Sequence, residues 1–170
     1  MPDQPPDPRA PTEPAPRPAA ADGLLHPLIG LSVLVLLFND HYWKGRGPGW
    51  ATGKLSDLAG LIFAPALLVA LVELLGAARG RRWAGDRRLL VFAVLATGAV
   101  FSVIQLDPWA AAAWRWGLGL AQWPIHLLAA GVAGEGWAPL RPVAHTMDPL
   151  DLWTLPALFV PLWTGWRRGA

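Results

Sequence analysis

Two well-separated stretches of this chain carry the side chains that could do chemistry. The first holds Asn39, Asp40 and His41, then Lys54 and Asp57; the second holds His145, Asp148 and Asp151, and Asp107 lies between them. Carboxylates combined with imidazoles form a donor set for Zn²⁺ or Mn²⁺, and carboxylates alone suit Mg²⁺ or Ca²⁺. His41, Asp57, His145 and Asp148 are therefore the candidate metal ligands. The same residues have plainer uses. Asp148 followed by Pro149 and then Asp151 is a helix start: a capping acid, a proline at the first position and an acid favourable to the dipole at the third. Thr52, Ser56 or Asp57 could cap the helix that follows them, Lys54 and Asp57 are spaced for an ion pair on one helix face, and Asp40 and His41 could be solvated loop residues. No resident cofactor is predicted, with a divalent metal as the alternative.

The elements that must position these residues are apolar and long. The chain is 54% hydrophobic and 15% charged, against about 25% charged in soluble domains. Apolar runs predict membrane helices at about 24–42, 57–76, 89–106 and 149–166, each near the roughly 20 residues needed to cross a 30 Å hydrocarbon core. Pro65 predicts a kink in the second run, and Pro156 and Pro161 predict bends in the last. Residues 109–134 are long enough to cross, yet contain Arg115, Gln122, Pro124 and His126 and four of the eleven tryptophans. Arginine at mid-bilayer costs several kcal/mol and tryptophan favours the interface, so this stretch reads as interfacial or re-entrant, a fifth span being the other reading. The expectation is an all-α, integral membrane four-helix bundle, one membrane domain over 23–168. Residues 1–22 are proline-rich without large apolar side chains, a disordered tail rather than a signal peptide.

Five of the fourteen basic residues lie between Arg79 and Arg88. Placing them inside puts both the tail and Arg167–Arg168 inside for four spans. The outer boundary then collects Asn39, Asp40, His41, Lys44, Lys54, Asp57, Asp107, His145, Asp148 and Asp151 as one candidate polar cluster. Glu73 is expected to meet the arginine loop or reach water, with proton carriage as its functional alternative. Arg115, flanked by Trp114 and Trp116, is expected to be an interfacial anchor, with a hold on lipid phosphate or stacking on indole as its functional alternative. Nucleic-acid binding is not expected, since no basic helix or aromatic recognition pattern accompanies the charge. Without cysteine, disulfide and thiolate chemistry are excluded. Serine-nucleophile, zinc-protease, phosphate-loop and dinucleotide motifs are missing too.

The motifs "TGKLSDLAGL" and "DPLDL" resemble those of a group of uncharacterised small bacterial multispan membrane proteins. The order "LSDLAGLIF", "QLDPWAAAAWRWGLG" and "DLWTLP" resembles, more remotely, the VanZ-like superfamily. That resemblance implies matching positions at Asp57, Gln105, Trp109, Arg115 and Asp151, adding Gln105 and Arg115 to the candidate cluster. It also implies a bacterial plasma-membrane protein concerned with the envelope or with tolerance of glycopeptide-type antibiotics, without established catalytic activity. The leading expectation is a non-enzymatic envelope protein that binds membrane lipid, an envelope ligand or a membrane partner. A metal-assisted enzyme acting on lipid headgroups and a small transporter are the alternatives.

Overall fold

A computed structural model describes residues 19–43, 46, 48–81 and 85–168. The described elements are all helical, with no strand among the described residues. Five α-helices follow in order: α1 (Pro27–Phe38), α2 (Gly49–Ala78), α3 (Arg87–Leu106), α4 (Pro108–Val132) and α5 (Phe159–Arg168). A 3₁₀ turn, Asp22–Leu25, precedes α1, a π turn, Asn39–Trp43, follows it, and a 3₁₀ helix, Pro149–Leu158, leads into α5. Most of the expected tail, residues 1–18, lies outside the described residues, as does Lys44. The end of that tail is seated rather than loose, because the Ala21 amide donates to buried Glu73.

One expected boundary and one expected helix type are corrected. The second helix begins at Gly49, not near Asp57, with Pro48 in extended conformation at its N-cap and no side-chain cap. The amides of Ala51 and Thr52 close the first turn on the Pro48 carbonyl, and nothing between Trp50 and Leu58 breaks a helix. Thr52, Ser56 and Asp57 are therefore interior residues and cap nothing. The last apolar run opens as 3₁₀ over ten residues before becoming α. Pro156 and Pro161 offer no N–H to the carbonyls four residues back, so an α ladder cannot run evenly through them. At about 2.0 Å per residue in the first half and 1.5 Å in the second, Pro149–Arg168 reaches about 35 Å. Pro65 sits inside α2, buried, without ending it.

The central helix is α2, which packs against α1, α3, the 3₁₀ helix and α5. Val69, Leu90, Ala93 and Val94 form its core with Leu158 and Leu162. Small residues let the backbones approach: a Cβ at Gly98 would lie 2.9 Å from Leu158, and one at Gly165 only 2.8 Å from Leu90. Only α2 and α3 combine the length and apolar composition needed to cross a membrane among the described residues. Their most apolar windows are just 33% and 28% buried, the rest of those side chains being partly or fully exposed.

Helix α4 leaves α3 after the single residue Asp107 and makes its substantial helix contact with α3. Gly134 and Gly136, both at positive φ, then turn the chain back. Residues 135–148 return beside α4 without regular structure. The Trp123 indole donates to the Ala138 carbonyl at 2.8 Å, and Arg115 and Val143 exchange two bonds, amide to carbonyl at 3.0 Å and guanidinium to carbonyl at 3.1 Å. Gly119 is obligatory here, since a Cβ would sit on the Arg141 carbonyl oxygen.

Candidate functional site

The early start of α2 and the end of α3 bring the two polar stretches together. Lys54, one turn and a half into α2, points its ammonium at Asp151, 2.7 Å from Oδ1 and 3.9 Å from the Asp148 carboxylate. Gln105, at the last turn of α3 and 1% exposed, donates from Nε2 to Asp151 Oδ2 at 3.3 Å and accepts the Asp148 amide on Oε1 at 3.0 Å. That pattern fixes the amide's orientation: flipping it would set oxygen against carboxylate and NH₂ against N–H. Asp151 therefore ties α2 and α3 to the N-terminus of the 3₁₀ helix. Asp57 completes the group, its carboxyl neighbouring those of Asp151 and Asp148 and the Lys54 ammonium.

Capping and convergence coexist. Asp148 caps its helix by accepting the Leu150 amide at 2.9 Å while facing Lys54 with its other oxygen. The Lys54–Asp57 spacing does fall within one helix, as an ion pair would need, but the short contact of Lys54 is with Asp151.

The remaining expected members sit around this centre. Asn39 is wholly buried, its amide donating to the Thr52 carbonyl at 2.9 Å and to Ser56 Oγ at 2.6 Å, which fastens the π turn to α2. Ser56 in turn reaches Asp40 at 3.5 Å. His41 is exposed, with Nδ1 3.0 Å from its own helix's Leu37 carbonyl. His145 places Nε2 3.2 Å from the Ile104 carbonyl, one of those left open by the end of α3. Asp107 caps α4 through the Ala110 amide at 2.7 Å, and Arg115 holds the return segment rather than the cluster. Among the described residues no three histidine or acidic side chains gather in a way that could hold a metal ion; of the candidate ligands, His41 lies on the π turn and faces its own helix.

Below the cluster a half-open groove of about 420 Å³ separates α2 from α3. Ser56, Asp57 and His145 stand at its mouth beside Trp114, and Gly60, Ala64, Leu68, Ala96 and Val100 line its depth. From Asp57 to Leu68 it follows eleven residues of α2, about 16 Å of helix. Residue-by-residue reading finds neither this groove nor Asn39 as a buried tie. One signal was available: Ser56, Gly60 and Ala64 recur every fourth residue, a small-residue stripe of the kind that seats closely approaching partners.

Compared with known proteins, the chain matches no family model, no curated protein and no solved structure. Of the positions matched through the VanZ-like resemblance, Asp57, Gln105 and Asp151 meet in the cluster, whereas Trp109 is exposed and Arg115 belongs to the α4 clamp.

Proposed function

We propose that the chain is an integral membrane protein, in four crossings, whose groove between α2 and α3 binds lipid without turning it over chemically. The observation that carries this reading is the groove itself: about as deep as half of a 30 Å hydrocarbon core, and apolar below its mouth but for Thr97, whose hydroxyl is bonded to the Ala93 carbonyl of its own helix. Exposed tryptophans support the membrane setting. Trp50, Trp109 and Trp153 ring the Lys54 end, while Trp163 and Trp166 lie at the other end under Arg167 and Arg87. Exposed Phe92, Leu95, Val100 and Leu71 fill the interval between. Two aromatic levels separated by an apolar band, about 30 Å apart by the length of α3, match the two interfaces of a bilayer.

The four-crossing count rests on the return segment. An extended stretch with few internal backbone bonds is not tolerated against lipid, because each unsatisfied amide there costs several kcal/mol. Residues 135–148 run beside α4, so α4 and this segment belong at the headgroup level or in water. The remaining crossings are α1 with its flanking turns, α2, α3, and the 3₁₀ helix with α5. Arg79, Arg81, Arg87, Arg88 and Arg167 share one end, which by the positive-inside rule faces the cytoplasm of a bacterial plasma membrane. The resemblance to VanZ-like proteins fits a role in the envelope.

Two measurements test the proposal. The cysteine-free chain accepts single cysteines at exposed helical positions, and an impermeant thiol reagent on intact cells should label Gly117→Cys but not Ala78→Cys. Native mass spectrometry from mild detergent should find about one lipid retained by the wild type and lost in Gly60→Leu. The Gly60 Cβ would meet nothing within 4 Å, so that substitution fills the groove without disturbing the backbone. Equal retention by both proteins would sink the lipid-binding proposal.

A further inference from the structure

The groove's mouth is acidic, and this sets which lipid suits it. Asp57, Asp148 and Asp151 surround one cation, Lys54, whose ammonium already lies 2.7 Å from Asp151. Asp57 lines the groove itself, with Ser56 and the imidazole of His145 beside it. The Asp57 and Asp151 carboxyls are bonded to each other and so share a proton, yet three carboxyl groups against one ammonium still leave the mouth net negative, which makes an anionic headgroup unfavourable there and a positively charged one favourable. A headgroup nitrogen that also carries N–H bonds gains further, because the Asp57 carboxyl and Ser56 Oγ are hydrogen-bond acceptors and charge-assisted bonds are the stronger kind. From this the geometry points to a specific occupant: a glycerolipid whose headgroup ends in a primary ammonium, held by Asp57 at the mouth, with one acyl chain lying along Gly60 and Ala64.

The depth of the groove agrees with that occupant. A path of about 16 Å from Asp57 to Leu68 equals roughly one leaflet of hydrocarbon, so a chain entering at headgroup level ends near the bilayer midplane. Moving a methylene from water into such a site is favourable, but in a membrane the chain is already in hydrocarbon, so affinity cannot come from it. Selection therefore rests on the headgroup contacts. A second copy of the chain fits less well. Parallel subunits in a membrane meet level for level, which would set one acidic mouth against the other.

This inference rests on the lipid-binding proposal, and a competition separates the two. The full-length protein is incubated in mild detergent with equimolar dioleoyl phosphatidylethanolamine, phosphatidylcholine and phosphatidylglycerol, and retained lipid is identified by native mass spectrometry. The three share chains and differ in headgroup alone. The expected result is at least threefold preference for phosphatidylethanolamine over both others, reduced to parity in Asp57→Asn while one lipid is still retained. Equal retention of all three by the wild type would overturn the headgroup inference and leave lipid binding standing. Retention no greater than that of Gly60→Leu would overturn both. A lipid-free dimer that Gly60→Leu dissociates would assign the groove to a second copy instead. The wild-type competition decides by itself should Asp57→Asn fail to fold.

Discussion

The two ends of the bundle each bury a carboxylate, and they satisfy it by different means. At one end Asp151 takes its bonds from side chains, Lys54 on α2 and Gln105 on α3. At the other end Glu73, 1% exposed, accepts the Ala21 amide at 2.8 Å on one oxygen and the Gly85 amide at 3.0 Å on the other. Side-chain partners are a choice made by sequence, and they tie helices to each other. Backbone partners are present at nearly every residue, and here they tie loops to a helix. The Asp151 arrangement thus sets the register of α2, α3 and the 3₁₀ helix, while the Glu73 one fastens the N-terminal segment and the α2–α3 connection.

Substitutions can break this contrast. Asp151→Ala should cost the most, because it takes the acceptor from buried Gln105 and the nearest carboxylate from part-exposed Lys54 at once; unfolding in mixed micelles with rising denaturant measures it. Glu73→Leu should come next at about 2 to 3 kcal/mol, leaving the Ala21 and Gly85 amides without this acceptor. Its damage should be local, so hydrogen exchange should rise around residues 19–25 and 85 and stay low at the Asp151 end. Uniform exchange along the chain would mean that the two ends are not separate devices. Gln105→Leu should cost about 2 kcal/mol by orphaning Asp151 Oδ2 and the Asp148 amide, and double-mutant coupling with Asp151→Ala should be strong, since both remove one network. Asp148→Ala should cost only about 1 kcal/mol, the value of a cap. A cost near that of Asp151→Ala would show that Asp148 holds Lys54 as firmly as Asp151 does.

The legible parts of the fold were those where one residue type has one dominant use. The apolar runs gave helices close to their observed limits at Arg87–Leu106, and Asp148 with Pro149 marked a real helix start. That Lys54, Asp57, Asp148 and Asp151 share a level followed from counting crossings and loops. Their convergence on one point did not, because level says nothing of position around the bundle; Gln105 entered only through a family resemblance. The start of α2 at Gly49 was hidden because Thr52, Ser56 and Asp57 all look like caps, and tertiary ties to Asn39 and Asp151 decide otherwise. The tie at Glu73 was legible in part: the arginine loop it was expected to meet does reach it through Gly85, whereas the Ala21 amide, a backbone donor, leaves no mark in the sequence. The π turn holding Asn39 and the long 3₁₀ helix were equally hidden, since neither has a strong composition of its own.

The bond between Lys54 and Asp151 joins residues 97 apart in the chain, and this interval is also a time. At about 5 to 20 residues per second of synthesis, α2 emerges roughly 5 to 20 seconds before its partner exists. During that wait Lys54 and Asp57 lack the carboxyl group that will meet them, and only the arrival of the 3₁₀ helix lets them withdraw into the finished bundle. The first turns of the early helix therefore keep their charges hydrated until the chain that will neutralise them has been made.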